Sequence, residues 1–395
     1  MKKVIKWSGL SLLALLICII YIGTYFDIPR EELEAKYATG ASQFLTLDDG
    51  SRIHYRDEGN QQGQVIVLVH GFNGSLFNFE RLVPYLSEDY RLVSLDLPAF
   101  GLTGAIPSGE YSTERFMKTI NQLVDSLNIE KFSIAGNSMG GGVSWRYTLQ
   151  HPEQINSLIL IASSSVRVEE EAEPDEDESS PLAWRLLSSN FSRKILLVFT
   201  PKFLAEQGLK TSVYDQDLAT KEWANEFHEL VLLEGSRKAI ISMFSGDRYG
   251  NETPEIFKQI NAPTLVIHGE EDNLIDIESS KHFEENIPEV AVKIYSNIGH
   301  LPMYEDPERT AKDIRNFVKE ISHQSFSIGC DQYIFFQRVL NKVLRNSLTR
   351  LVTIGIILAV FYKTHWTFVH LATYKIVGNL KTLIIKLVEL VVPIL

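Results

Sequence analysis

The sequence predicts an α/β protein, built on a mostly parallel, twisted sheet with helices on both faces and a helical cap inserted into it. The chain has 395 residues, 45% hydrophobic and 22% charged, which is enough to bury a large core. Between residues 43 and 325, short β-branched runs alternate with amphipathic patterns, as in strands joined by crossover helices. Residues 163–261 interrupt this alternation with helical patterns alone, which indicates an insertion.

The predicted strands begin with an antiparallel hairpin. Residues 43–47 and 52–56 flank an Asp-Asp-Gly turn. Residues 65–69 form a continuous apolar run, which is typical of a strand buried on both faces. The same character recurs further along the chain, in residues 91–95, 132–135, 157–161, 264–268 and 291–295.

The insertion, residues 163–261, is predicted to be a helical cap at the carboxyl edge of the sheet. Helical patterns lie at residues 182–187, 192–199 and 221–233. Eight acidic residues between positions 169 and 178 open the insertion. We interpret this acidic run as a solvated loop, and metal binding is the alternative.

A membrane anchor is predicted at the N-terminus, residues 1–26. Residues 7–26 form twenty positions without a charge, which matches a bilayer core. Lys2, Lys3 and Lys6 precede them, so the positive-inside rule predicts that the rest of the chain is exported. A cleaved signal peptide is the alternative, but no A-x-A site lies near the end of the stretch.

The C-terminal tail, residues 331–395, is also predicted to contact a membrane. It carries eight Lys and Arg against two acids, whereas the whole chain has a net charge of −12. From residue 376 onward, apolar and basic residues fall on opposite helical faces, the pattern of a helix that lies on a lipid surface. A second span through residues 351–374 and a dimerisation helix are the alternatives. The acidic body disfavours a nucleic-acid partner.

The strongest chemical motif is Gly136-Asn137-Ser138-Met139-Gly140, which follows a predicted strand and opens a predicted helix. A nucleophile on such a sharp turn needs small neighbours, because its backbone is strained and Cβ atoms would collide there. The turn also aims the Met139 N–H and the helix N-terminus at the reacting centre.

A second motif, His70-Gly71-Phe72, ends the strand at residues 65–69. It places the Phe72 N–H beside the edge where Ser138 emerges. The backbone N–H groups of Phe72 and Met139 are therefore the predicted oxyanion hole. We interpret His70 itself as a structural residue.

A serine nucleophile requires a base and a carboxylate that orients the base. His300 follows the strand at residues 291–295 and is the predicted base. Asp272 lies just past the strand at residues 264–268 and is the predicted acid, with Asp276 as second choice. His268 is interpreted as a packing residue at the strand end.

These motifs, with Asp96-Leu97-Pro98-Ala99-Phe100-Gly101, resemble the α/β-hydrolase superfamily over residues 44–322. Within it, the sequence around Ser138 is similar to bacterial lipases and esterases of the cold-adapted type, and to carbon–carbon bond hydrolases of aromatic ring degradation. The resemblance implies Ser138, Asp272 and His300 as a catalytic triad, with neither a metal nor an organic cofactor. Ala99 stands where many relatives have glycine.

The sequence therefore predicts a membrane-anchored serine hydrolase that cleaves lipophilic carboxylic esters, with membrane lipid contacting both termini. We place it in a bacterial inner membrane with its catalytic domain on the periplasmic side. The apolar residues 195–199 of the cap are candidates for lining an acyl pocket. The alternatives are a carbon–carbon bond hydrolase of the same fold, a peptidase, and a non-catalytic membrane scaffold.

Overall fold

A computed structural model describes residues 21–166 (without residue 22), 182–245 and 252–321. The predicted tail, the acidic run at 169–178 and all but the end of the predicted N-terminal anchor lie outside these ranges. No helix within them is long and apolar enough to cross a membrane. Residues up to Lys319 form one compact unit, and a second unit begins at Glu320.

The described strands form one sheet in the order β1-β2-β4-β3-β5-β6-β7-β8. β1 and β2 pair antiparallel, β2 joins β4 antiparallel, and every pairing from β4 to β8 is parallel. The predicted α/β architecture is confirmed. The strands are β1 Ser42–Thr46, β2 Arg52–Gly59, β3 Gln64–Val69, β4 Tyr90–Leu95, β5 Phe132–Asn137, β6 Ile155–Ile161, β7 Thr264–Gly269 and β8 Val290–Tyr295.

Helices precede, connect and cap these strands. In chain order they are α1 Arg30–Tyr37, α2 Val83–Leu86, α3 Thr113–Ser126, α4 Met139–Gln150, α5 Leu182–Ser188, α6 Asn190–Leu196, α7 Phe203–Ser212, α8 Lys221–Val231, α9 Ser236–Ser242, α10 Glu278–Asn286, α11 Pro302–Glu305 and α12 over 307–321. Short 3₁₀ turns add Leu76–Phe79, Gln216–Leu218, Met243–Ser245 and Pro254–Gln259.

The central strands of the sheet are buried on both faces because they alternate their side chains between two apolar clusters, whereas the edge strands β1 and β8 are partly exposed. Val67 and Val69 of β3 face the cluster that includes Phe116 of α3. Ile66 and Leu68 face the opposite cluster. This double coverage explains why β3 is a continuous apolar run in the sequence.

The segment before β1 is attached to the cap. Thr24 forms an antiparallel bridge with Phe199, and the Tyr25 N–H donates to Val198 O over 3.2 Å. Asp27 accepts two hydrogen bonds from the Arg237 guanidinium, at 2.5 and 3.0 Å. Residues 23–25, near the end of the predicted anchor, are therefore paired with cap backbone.

We expect Glu226→Gln on α8 to stabilise the fold at pH 8 but hardly at pH 5. Burial and then the charge of Glu80 raise the pKa of Glu226 from 4.5 to about 7. A carboxyl group whose pKa is raised in the folded state does not destabilise the fold below pH 4.5, where it is protonated in both states. It destabilises the fold fully above about pH 7, where it is ionised in both states. Because the side chain is partly exposed, we expect a gain of about 1–2 kcal/mol at pH 8, measured by denaturant unfolding.

The matched control for this prediction is Glu222→Gln, an exposed carboxylate one turn earlier on the same helix. It should change stability equally little at both pH values. An equal gain at pH 5 and pH 8 for Glu226→Gln would contradict the prediction.

Candidate active site

Ser138 lies on a strained turn between β5 and α4, with φ 56° and ψ −122°. This left-handed φ is costly for a non-glycine residue. The turn is closed by hydrogen bonds from Ser138 N–H to Ile161 O and from Gly142 N–H to Ser138 O, each 3.1 Å long. A Cβ at Gly140 would overlap the Val69 carbonyl oxygen, so only glycine lets α4 approach β3 here.

His300 and Asp272, on the loops after β8 and β7, are in direct contact. His300 Nδ1 lies 2.7 Å from Asp272 Oδ2. Asp272 Oδ1 accepts from the N–H groups of Leu274 and Ile275, at 2.8 and 3.1 Å. Burial alone raises the pKa of Asp272, but His300 and His268 outweigh it and hold the pKa well below its ordinary value. Asp272 is therefore ionised at neutral pH.

Asp276, the second choice for the acid, lies away from His300. It is exposed, and its Oδ1 accepts from the Glu278 N–H at the start of α10. Its role is that of a local turn residue, because a short side chain that bonds the backbone two residues on stabilises such a turn.

His268 is fully buried and touches the same carboxylate as His300. Its Nε2 lies 3.1 Å from Asp272 Oδ2 and 3.0 Å from Ile275 O, while its Nδ1 lies 2.7 Å from Ser280 Oγ. Because both neighbours of Nε2 are acceptors, the proton is assigned to Nε2, and Nδ1 accepts from the serine hydroxyl. His268 therefore does more than pack at the strand end, the role that the sequence predicts for it, because it also helps to fix the position of Asp272.

The loop after β3 lies against the nucleophile. A Cβ on Gly71 would lie 2.9 Å from Ser138 Cβ, so Gly71 permits this close approach. His70 is fully buried, its Nε2 accepts from the Leu97 N–H over 3.0 Å, and its Nδ1 lies 2.7 Å from Gly71 O. Burial lowers the pKa of His70, which keeps it neutral, and these contacts fit the structural role predicted for it.

Asn137 links the nucleophile turn to the histidine loop, a role that the sequence did not reveal. Its Nδ2 donates to Ile161 O and to His300 O, each over 3.1 Å. Ser138 follows directly in the chain and is partly exposed. The predicted nucleophile and base are thus brought to the same edge of the sheet.

An apolar cavity of about 180 Å³ lies between the cap and this edge. It reaches Phe72, whose N–H belongs to the predicted oxyanion hole, and Leu274, whose N–H donates to Asp272. Leu196 is the one residue of the cap stretch 195–199 that lines this cavity. Ile195 and Val198 are instead exposed to solvent, by 41% and 58%. The remaining apolar lining comes chiefly from Leu186, Leu187, Leu204, Phe227, Val231 and Ile240.

The arrangement suits nucleophilic chemistry with an anionic intermediate. Met139 is the first residue of α4, and the first N–H groups of a helix have no acceptor within it. Ser138 is the N-cap residue of this helix, so the helix dipole favours negative charge beside it. Within residues 21–166, 182–245 and 252–321, no three His, Cys, Asp or Glu side chains cluster as metal ligands would.

Comparison with known proteins places these features in a family. The sequence model of the α/β hydrolase fold matches residues 64–307. Lipase 1 of Psychrobacter immobilis is 27% identical over 277 residues, which cover 69% of this chain and 82% of the lipase.

Carbon–carbon hydrolases are equally similar. The 2-hydroxy-6-oxo-6-(2'-aminophenyl)hexa-2,4-dienoic acid hydrolase of Metapseudomonas resinovorans is 28% identical, over 73% of this chain and 94% of that enzyme. The crystal structure of the meta-cleavage product hydrolase from Pseudomonas fluorescens IP01 superimposes with a TM-score of 0.59 at 25% identity. That alignment covers 70% of this chain and 97% of the hydrolase.

Proposed function

The chain belongs to the α/β hydrolase fold family, and from this premise we propose that it is a serine hydrolase that cleaves lipophilic carboxylic esters. Ser138 is the nucleophile, His300 the general base and Asp272 the residue that orients the base. The N–H groups of Phe72 and Met139 form the oxyanion hole. The similarity to a lipase supports the ester class.

In the proposed reaction, Ser138 Oγ attacks the ester carbonyl while His300 takes its proton. Asp272, already ionised, stabilises the imidazolium that forms and holds the ring in one tautomer. The oxyanion is stabilised by the two amides and by the N-terminus of α4. His300 then protonates the leaving alcohol and activates a water molecule, which releases the acid from the acyl-enzyme.

The observation that carries the ester assignment is the charge of the cavity. Among its described lining residues, Arg237 alone has a formal charge, and that charge is paired with Asp27. A dienoic acid of the kind named for the similar hydrolase brings a carboxylate, whose burial is costly unless a cation or several hydrogen-bond donors compensate it. An acyl chain requires only the apolar surface that the leucines supply.

The test is a series of p-nitrophenyl esters from acetate to palmitate, with a dienoic acid ring-cleavage product as competing substrate. We expect kcat/KM to be highest at medium or long chains, since each buried methylene contributes about 0.8 kcal/mol. Turnover of the dienoic acid with no ester hydrolysis would shift the assignment to carbon–carbon bond cleavage, the function of the similar aromatic-degradation enzymes.

We also propose that both chain ends contact membrane lipid, with the catalytic domain on the periplasmic side of a bacterial inner membrane. The support is the uncharged stretch at 7–26 and the basic tail at 331–395. Deletion of residues 1–20 keeps the cap pairing of Thr24, Tyr25 and Asp27 intact, so activity should persist while membrane association weakens. Fractionation and reporter fusions after residues 26 and 325 measure this, and an unchanged membrane fraction for chains lacking both ends would contradict it.

A further inference from the structure

The last turn of cap helix α7 lies directly against the loop that carries His300. The His300 N–H donates to Ser212 O over 2.9 Å. Gly299 approaches the cap so closely that a Cβ there would lie 2.9 Å from Tyr214 N. The cap and the histidine loop therefore meet backbone to backbone, with little room for independent movement.

The Glu305 carboxylate joins the same two segments. Its Oε1 accepts from the Gly299 N–H over 2.8 Å, and its Oε2 accepts from the Tyr214 N–H over 2.7 Å. Each oxygen thus serves a different segment, the histidine loop on one side and the cap on the other. Both contacts are short, so the carboxyl group fixes the spacing between cap and loop, although burial raises the pKa of Glu305.

Helix α7 also lines the apolar cavity, through Gly208, Thr211 and Ser212. An acyl chain in that cavity would contact the same turn that binds the His300 N–H. The His300 carbonyl is held from the opposite side by Asn137, next to the nucleophile. The backbone of the histidine is thus held between the cap and the nucleophile turn.

We propose that Glu305 is a positioning residue through which an acyl chain in the cap cavity sets the position of His300. The proposal rests on the ester hydrolysis proposed above. A long chain packs on α7 and fixes its last turn. The hydrogen bonds of Ser212 O and of Glu305 to the histidine loop then fix the position of that loop. An acetyl group has no chain to pack along α7, so its hydrolysis proceeds without this restraint.

The test is Glu305→Gln, read as the ratio of kcat for p-nitrophenyl octanoate to kcat for the acetate. Glutamine keeps the size of glutamate but replaces one acceptor oxygen with an NH₂ group, which cannot accept from Gly299 or Tyr214. In the wild type the ratio should be well above one. In the variant it should fall by about fivefold or more, while KM keeps its preference for octanoate because the cavity is unchanged.

Glu271→Gln is the matched control. The Glu271 Oε2 accepts from the Ile298 N–H over 3.0 Å, so this carboxylate braces the same loop from the sheet side. Glu271→Gln should keep the octanoate-to-acetate ratio within about twofold, whatever it does to absolute rates. Equal losses of kcat on both esters in Glu305→Gln would show a purely structural role and overturn the proposal, as would a wild-type ratio near one.

The two proposals can fail separately. Octyl and ethyl fluorophosphonates modify an activated serine whatever the natural substrate is. If neither modifies Ser138, the proposed hydrolase function fails, and the inference fails with it. If the wild type prefers the octyl reagent and Glu305→Gln retains that preference in full, only the role of Glu305 is overturned.

Discussion

Ser138→Ala is expected to lower kcat for ester hydrolysis by about 10⁵–10⁶-fold without loss of folding. The hydroxyl is the only group removed, and the alanine inherits the same strained turn, which is closed by backbone hydrogen bonds to Ile161 and Gly142. The residual rate comes from binding and from the oxyanion donors. Initial hydrolysis rates with p-nitrophenyl octanoate measure the loss of kcat, and circular dichroism measures whether the variant is folded.

The matched control is Ser165→Ala. Ser165 also lies near the carboxyl edge of the sheet, and its Oγ is 3.1 Å from His282 Nδ1, so it is a serine in hydrogen-bond contact with a histidine ring. It follows β6 in an ordinary loop and not on a strand-to-helix turn, so we expect less than about threefold change in kcat. Loss of activity in Ser165→Ala with retention in Ser138→Ala would reverse the assignment of the nucleophile.

Much of the fold follows from local sequence patterns. The buried strands are continuous apolar runs in the sequence. For example, β3 spans residues 64–69, and the sequence predicts a strand over 65–69. Helices α7 and α9 were not predicted. Helix α7 contains Gly208 and ends in β-branched and polar residues, so its helical state depends on packing of Ala205 and Leu209 against neighbouring elements.

The active-site geometry was predictable only where the motif is local. The turn around Ser138 is encoded by its neighbouring glycines and by its place between strand and helix. The link from Asn137 to His300 joins residues 163 positions apart, and that from Glu305 to Tyr214 spans 91. Such pairs depend on the assembled sheet and cap, and a single sequence carries no pattern that marks them.

Asp272→Asn is expected to lower kcat by about 10⁴-fold, the second largest effect in this molecule. Asp272 Oδ2 accepts from the ring nitrogens of both His300 and His268. An asparagine has one carbonyl oxygen, and its NH₂ group would have to face either these N–H donors or the backbone N–H groups of Leu274 and Ile275. The imidazolium of the transition state also loses its adjacent negative charge.

The control for this substitution is Asp276→Asn, which alters an exposed turn and should change kcat less than about twofold.

The pH dependence separates the role of Asp272 further. Because the pKa of Asp272 is held well below its ordinary value, its charge persists as the pH falls from neutral and is lost only in strong acid. We therefore expect protonation of Asp272 to cost the wild-type enzyme no activity between neutral pH and strong acid. A small loss of kcat in Asp272→Asn would instead identify Asp272 as a loop anchor, and another carboxylate would then have to orient the base.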